Sequence, residues 1–466
     1  MSTADDLRDV RPGRQRVSMV LAVLVTLPGL ALRFGELGFS HPIEALLYGL
    51  AIVGAAFMLS WGAEAAQLDV SAGLAIALLA FVAVLPEYAV DLVFAFKAGT
   101  AVGAYGPACR PPGGPGETPC SLALANMTGA NRLLIGIGWS MVVFVAWYRS
   151  RRVGIRLTEV QLERSHAVEL AFLAIATVYS LTLPLKDTVT LLDAAVLGGM
   201  FVAYTVRIAS APAEEPHLVG PARYLGTLGV GARRTAVIAL FVYSAVIVLL
   251  VAERFAEALV GTGREFEVSE FLLVQWLAPL ASEAPELLVA GLYAWRLNTN
   301  AGLGTLVSSK VNQWTLLVGT LPIVFALASG SLSGLPVEPR QREELLLTAS
   351  QSVFAVATLA SLSLSLREAS LLLALFFAQF VIGALVPTPY HGFELIAVSA
   401  MYLVLGVAIL LRNRGQLRAL LRDGLRTPPA SPRAACASRR AGARAAGRGC
   451  GSGAPRRAPG TSPTPR

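Results

Sequence analysis

The 466-residue chain is 55% apolar and only 15% charged, with a mean hydropathy of +0.62. Soluble domains carry about 25% charged residues, and here the apolar residues run in long blocks, which excludes a soluble multi-domain enzyme. The net charge of +8 lies largely after Leu411 and between apolar blocks, a pattern of membrane topology plus a basic tail rather than a nucleic-acid footprint.

In chain order, residues 1–16 are polar, with Asp5, Asp6, Arg8, Arg11, Arg14 and Arg16, and carry no signal-peptide cleavage pattern. About twelve spans follow, each near the roughly 20 residues a bilayer requires: 17–34, 44–62, 71–97, 121–147, 167–185, 188–208, 235–260, 269–295, 300–328, 343–363, 368–387 and 394–411. The expected fold is an all-α polytopic membrane protein, with a first half over 17–208 and a second over 235–411. Residues 412–466 are Arg, Ala, Pro, Gly and Ser with few large apolar side chains, and are expected to be a disordered basic tail. With a cytoplasmic N-terminus, loops after even-numbered spans hold Arg149, Arg151, Arg152, Arg156, Arg164, Arg207, Arg223, Arg233, Arg234, Arg296 and Arg367. The opposite loops hold only Arg110, Lys186, Arg264, Arg340 and Arg342. The bias predicts a cell (inner or plasma) membrane protein with both termini cytoplasmic.

The Gly/Pro-rich loop Thr100–Cys120 faces outward on this topology. There Cys109 and Cys120 either form a disulfide or remain thiols in a loop, whereas Cys436 and Cys450 in the tail stay reduced. The four histidines have no metal-ligand spacing, and His166 and His217 fall in predicted loops with a solvated role expected. The sequence contains no phosphate-binding loop and implies no resident cofactor.

Two Pro-Glu pairs stand out, Pro86-Glu87 in the third span and Pro285-Glu286 in the eighth. A carboxylate at bilayer depth costs roughly 2.5–3.5 kcal/mol on insertion scales, so each is a functional-site hypothesis. Proline beside it frees a backbone carbonyl, tolerated only inside protein or at a wet cavity. Both pairs are followed by an aromatic-basic step, Phe96-Lys97 and Trp295-Arg296, and then by a polar helix. The first of these helices carries Asn126-Met127-Thr128-Gly129-Ala130-Asn131-Arg132 and the second Val307-Ser308-Ser309-Lys310-Val311-Asn312-Gln313. An odd span separation makes the two segments cross the bilayer in opposite directions, as in inverted-repeat transporters.

These segments, over about 75–147 and 272–328, resemble the two α-repeats of the sodium/calcium exchanger (cation/calcium exchanger) superfamily. The family pairs Gly-Thr-Ser-x-Pro-Glu with a downstream Gly-Asn-x-x-Gly-Ser-Asn. The resemblance implies antiport of inorganic cations, typically Ca2+ against Na+ or H+, by alternating access, with Glu87 and Glu286 as central ligands. Ca2+ takes about 6–8 oxygens. Candidates beside the two glutamates are Asn126, Thr128, Asn131, Ser308, Ser309 and Asn312, whose null role is bonding between helices. Ser282 matches a family hydroxyl position, and Asp91 and Glu283 are second-sphere acids, proton carriers or halves of ion pairs.

The chain departs from the family at Ala83 and Val84, which replace hydroxyls, and at Ser308-Ser309-Lys310 and Arg132. Lys310 is expected to point away from the Asn312 face, with Arg132 and Lys310 pairing with Asp91 and Glu283. The rival expectation is that Lys310 enters the site in place of a cation, favouring proton-coupled or monovalent exchange. The leading activity is Ca2+ exchange for Na+ or H+. A Na+/H+ exchanger on the same scaffold is the alternative, ahead of a membrane-embedded enzyme using the buried carboxylates. The lipid bilayer is the expected surrounding, and the oligomeric state is not encoded in any feature above.

Overall fold

The computed structural model describes residues 12–35, 38–69, 85–113, 116–209, 218, 220–386 and 390–426. Residues 71–84 of the third span, including Ala83 and Val84, lie outside the described residues, as do His217, Cys436, Cys450 and the tail from 427.

The elements in chain order are α1 (Pro12–Gly35), α2 (His41–Ala66), α3 (Leu85–Tyr105), α4 (Pro119–Arg152), α5 (Arg164–Leu185), α6 (Leu191–Ala209) and α7 (Val230–Glu265). After these come α8, in two pieces (Glu270–Ser282 and Ala284–Trp295), α9 (Thr299–Ser329), α10 (Pro339–Leu359), α11 (Leu366–Leu385), α12 (His391–Arg412) and a short α13 (Arg414–Leu425). The twelve predicted spans map one to one onto α1–α12. Eight of these (α1, α2, α4–α7, α9 and α12) are long and apolar enough to cross a membrane by length and composition alone. Two of the remaining four have plain reasons: α8 is broken at Glu283, and α10 carries the buried polar run Thr348, Ser350, Gln351 and Ser352. Two expected ends are corrected. Helix α1 reaches back to Pro12, the first described residue, ahead of 17. The segment expected to be disordered from 412 instead begins with α13, whose Leu420 and Gly424 are buried. Gly424 packs against Ala167 and Ala171 of α5, which leaves no room for a side chain.

The packing follows an n to n+5 rule. Helix α2 lies on α7, α3 on α9 as α8 lies on α4, and α6 on α9 as α11 lies on α4, while α5 meets α10. Exchanging helices five apart (2↔7, 3↔8, 4↔9, 5↔10 and 6↔11) maps each of these pairs onto its counterpart or onto itself. Five is odd, so the repeats are inverted. The loop strands agree. Glu159–Gln161, between α4 and α5, pairs antiparallel with Ser363–Ser365, between α10 and α11. On the other side Thr188–Val189, between α5 and α6, pairs with Leu335–Pro336, between α9 and α10. Even-numbered loops meet even-numbered ones and odd meet odd.

Cys109 and Cys120 form a disulfide that closes the loop between α3 and α4. That loop is held to the first turn of α10 by Arg340–Glu117 at 3.1 Å and to the residue before that helix by Thr118 donating to Glu338 at 2.5 Å. His166 is not the solvated loop residue expected. It packs on Gly304 of α9, with Nδ1 3.3 Å from Glu169 Oε1.

Candidate cation site

Both polar helices change pitch at the same place. Helix α4 runs as α-helix over Ala125–Leu133 and then as a π-helix over Leu134–Trp139. Helix α9 runs over Thr299–Asn312 and then as a π-helix over Gln313–Leu317. Such wide turns are rare and concentrate at functional sites. The α9 turn is anchored by Trp314 Nε1, which donates to Ser352 Oγ of α10 at 2.9 Å, and by Thr315 Oγ1, which donates to Val311 O at 2.6 Å. Asn131 and Lys310 each stand three residues before their π segment. Counted back from the π segments, Asn131 matches Lys310 and Gly129 matches Ser308, whereas the sequence motifs match Asn131 with Asn312.

The helix carrying Asn131 is drawn close to α8 at Gly129. A Cβ there would lie 1.6 Å from Gln275 O, so glycine is required for this approach. Gln275 Nε2 also donates to Thr128 Oγ1 at 3.2 Å.

At the centre, Gln313 Nε2 donates to Glu87 Oε1 at 2.8 Å and also to Glu283 Oε1. One amide thus joins the carboxylate that opens α3 to the one at the break of α8. Glu87 also lies within electrostatic reach of Glu286, Asp91 and Lys310. Among the described residues, Glu87 Oε2, Glu283 Oε2, Glu286 Oε2 and Gln313 Oε1 are buried with no hydrogen-bond donor. Buried carboxylate and amide oxygens without donors are groups that a hard cation satisfies, since an uncompensated buried carboxylate is costly. Among the described residues no three His, Cys, Asp or Glu side chains converge as a resident metal centre. The oxygens come instead from a mixture of carboxylates and amides.

A sequence model of the sodium/calcium exchanger protein family matches residues 44–209 and 236–385. The chain belongs to that family. Its fold is shared with the crystal structure of the H+/Ca2+ exchanger CAX, at 40% identity and a TM-score of 0.78, covering 88% of this chain and 98% of that one. The Ca2+/H+ antiporter protein YfkE is similar at 12% identity and a TM-score of 0.52, covering 84% of this chain and 99% of that one. No curated protein matches the sequence. The chain is thus a multi-pass membrane transporter of the exchanger family and not an enzyme.

The exchanger's predicted ligands divide into three groups. Gln313 joins Glu87 and Glu283, and Glu286 lies within electrostatic reach of Glu87. Asp91 and Asn126, both fully buried, lie beside each other one turn further along α3. Asn312 and Ser309 are buried on the adjoining stretch of α9. The remaining hydroxyls are directed elsewhere. Ser308 Oγ shares a 2.8 Å hydrogen bond with Tyr204 OH of α6. Ser282 Oγ donates to its own helix at Ala278 O, 3.3 Å, and Thr128 Oγ1 to Ala125 O, 3.0 Å. These three play the helix-bonding role that short polar side chains take in membranes.

Neither expected ion pair forms. Arg132 reaches outward to Glu344 of α10, Nη2 to Oε2 2.9 Å, and lies over the Trp276 ring at 4.7 Å. Lys310 bonds to Asn131 instead of to an acid. It is fully buried, and its Nζ donates to Asn131 O at 2.8 Å and to Asn131 Oδ1 at 2.7 Å. The expected ion pairs rested on the two-residue spacing of Lys310 from Asn312, which carries no information on the partner in the other repeat. Gln313 and Glu344 went unrecognised, although a polar side chain inside a span is itself a signal.

Proposed function

We propose that this exchanger is a secondary-active antiporter that moves Ca2+ against protons by alternating access. Its site lies near the membrane midplane, between Glu87 of the first repeat and Glu286 of the second. The observation that carries this reading is the Gln313 amide joining Glu87 to Glu283, with three carboxylate oxygens and the Gln313 carbonyl buried without donors among the described residues. Hard oxygens of this kind suit Ca2+, and the same carboxylates can hold protons when the cation leaves. The 40% identity to an H+/Ca2+ exchanger supports the choice of counter-ion. Asp91, Asn126, Ser309 and Asn312 supply further oxygen around this centre. The break at Glu283 and the two π segments provide the interrupted helices on which such transporters rock. The arginine bias of the even-numbered loops supports placing both termini in the cytoplasm of a cell membrane.

Proteoliposomes containing the purified protein test the counter-ion. Ca2+ uptake is expected when the lumen is acid, with lumenal alkalinisation recorded by a trapped pH dye, and no requirement for Na+. Uptake that follows a Na+ gradient and ignores the pH gradient would replace protons by Na+ in this reading.

A further inference from the structure

Asn131 and Lys310 occupy the same position in the two inverted repeats, three residues before each π segment, and they touch. Residues related by a two-fold pseudo-axis meet only close to that axis. The contact therefore marks the centre of the molecule, beside Glu87. At this centre the scaffold would present an amide from each repeat. It presents one amide, from Asn131, and one ammonium, from Lys310. The ammonium takes both oxygens that Asn131 offers, its side-chain Oδ1 and its main-chain O. Among the described residues no carboxylate lies within ion-pair distance of Lys310, and the second buried cation nearby, Arg132, is engaged by Glu344. The Lys310 amine thus lies within electrostatic reach of Glu87, with no separate carboxylate partner among the described residues.

We propose that Lys310 is a tethered internal cation that fills one of two pseudo-symmetric cation positions, so that the exchanger admits a single external cation, Ca2+, and no Na+ beside it. The inference rests on the Ca2+ reading above and adds the residue that sets ion number and selectivity. The ammonium lowers the negative charge felt by an incoming ion and denies it the Asn131 oxygens. Replacing Lys310 by its counterpart residue removes both restraints. Coulomb interaction over a few ångström at low effective dielectric is large enough to change affinity by an order of magnitude or more.

The test is equilibrium Ca2+ binding to the purified full chain in detergent, by calorimetry, with and without excess Na+. The wild type is expected to bind one Ca2+ with affinity indifferent to Na+. Lys310→Asn is expected to bind Ca2+ at least about tenfold more tightly and to acquire competition by Na+. Lys310→Arg, which keeps a cation on Asn131, is expected to retain the single, Na+-insensitive site. Should the neutral variant fail to fold, Asn131→Asp decides: an internal cation neutralises the added carboxylate, and the count of bound Ca2+ stays at one. Wild-type affinity and Na+ indifference in Lys310→Asn, or a second Ca2+ in Asn131→Asp, would overturn the proposal. A wild type that binds no Ca2+ removes the calcium reading itself. A wild type that binds it, beside an unaltered Lys310→Asn, removes this inference alone.

Discussion

At the scale of single residues, the centre of the exchanger depends on amides as much as on carboxylates. Gln313 spends its N–H on Glu87 and Glu283, and its oxygen is buried without a donor among the described residues. Gln313→Leu removes the donor and leaves two buried carboxylates unsupported, at a cost of about 1.5–3 kcal/mol for hydrogen bonds to a charged group. The expected outcome is a fall in Ca2+ flux of about tenfold or more with the chain still inserted and folded. Unchanged flux would remove Gln313 from the site. The glutamates were legible because a charge inside an apolar run is conspicuous in any reading of the sequence. Gln313 was not, because it is uncharged and follows the more familiar Asn312. Lys310 was not legible as a central residue, because its partner Asn131 lies in the other repeat and spacing within one helix does not reveal that contact.

At the scale of elements, close approaches of helices fix where these residues can reach. The meeting of α4 with α8 at Gly129 is against rigid backbone, with a Cβ only 1.6 Å from Gln275 O. Gly129→Ala must separate the two helices, and overpacking of this kind costs about 1–3 kcal/mol or more. A clear drop in thermal midpoint and loss of transport are expected in a detergent melting assay. Gly199→Ala is the control, since a Cβ at Gly199 in α6 meets nothing within 4 Å. It should match or slightly exceed the wild type, because alanine favours a helix by roughly 0.5–1 kcal/mol over glycine. A stable, active Gly129→Ala would contradict the close contact described. The helices themselves were legible from hydropathy to within several residues. Their interruptions were not: π turns have no compositional mark, and the Glu283 break falls two residues before Pro285 in an otherwise apolar run. Helix α13 was missed because its arginines dominate the composition, whereas its few buried residues, Leu420 and Gly424, are those that dock.

At the scale of the whole molecule, the inverted repeat ties topology to function. The n to n+5 packing and the two strand pairs place Ser361 and Asp187 on opposite membrane faces. Single cysteines at these exposed positions, in whole cells treated with a membrane-impermeant maleimide, should react differently. Asp187→Cys is expected to label directly and Ser361→Cys only after permeabilisation. Labelling of both from one side would break the inverted arrangement. The repeat was legible from the duplicated Pro-Glu pair and its odd separation. The asymmetry of the two halves, an amide meeting a lysine, needed the contact itself. The central claim is that Glu87 and Glu286 carry the transported cation between them. The most direct measurement is Ca2+ flux in proteoliposomes containing Glu87→Gln or Glu286→Gln, variants that keep side-chain size and remove the charge. The account predicts that each abolishes pH-driven Ca2+ uptake while the purified protein remains folded and monodisperse. Wild-type uptake in both variants would contradict it.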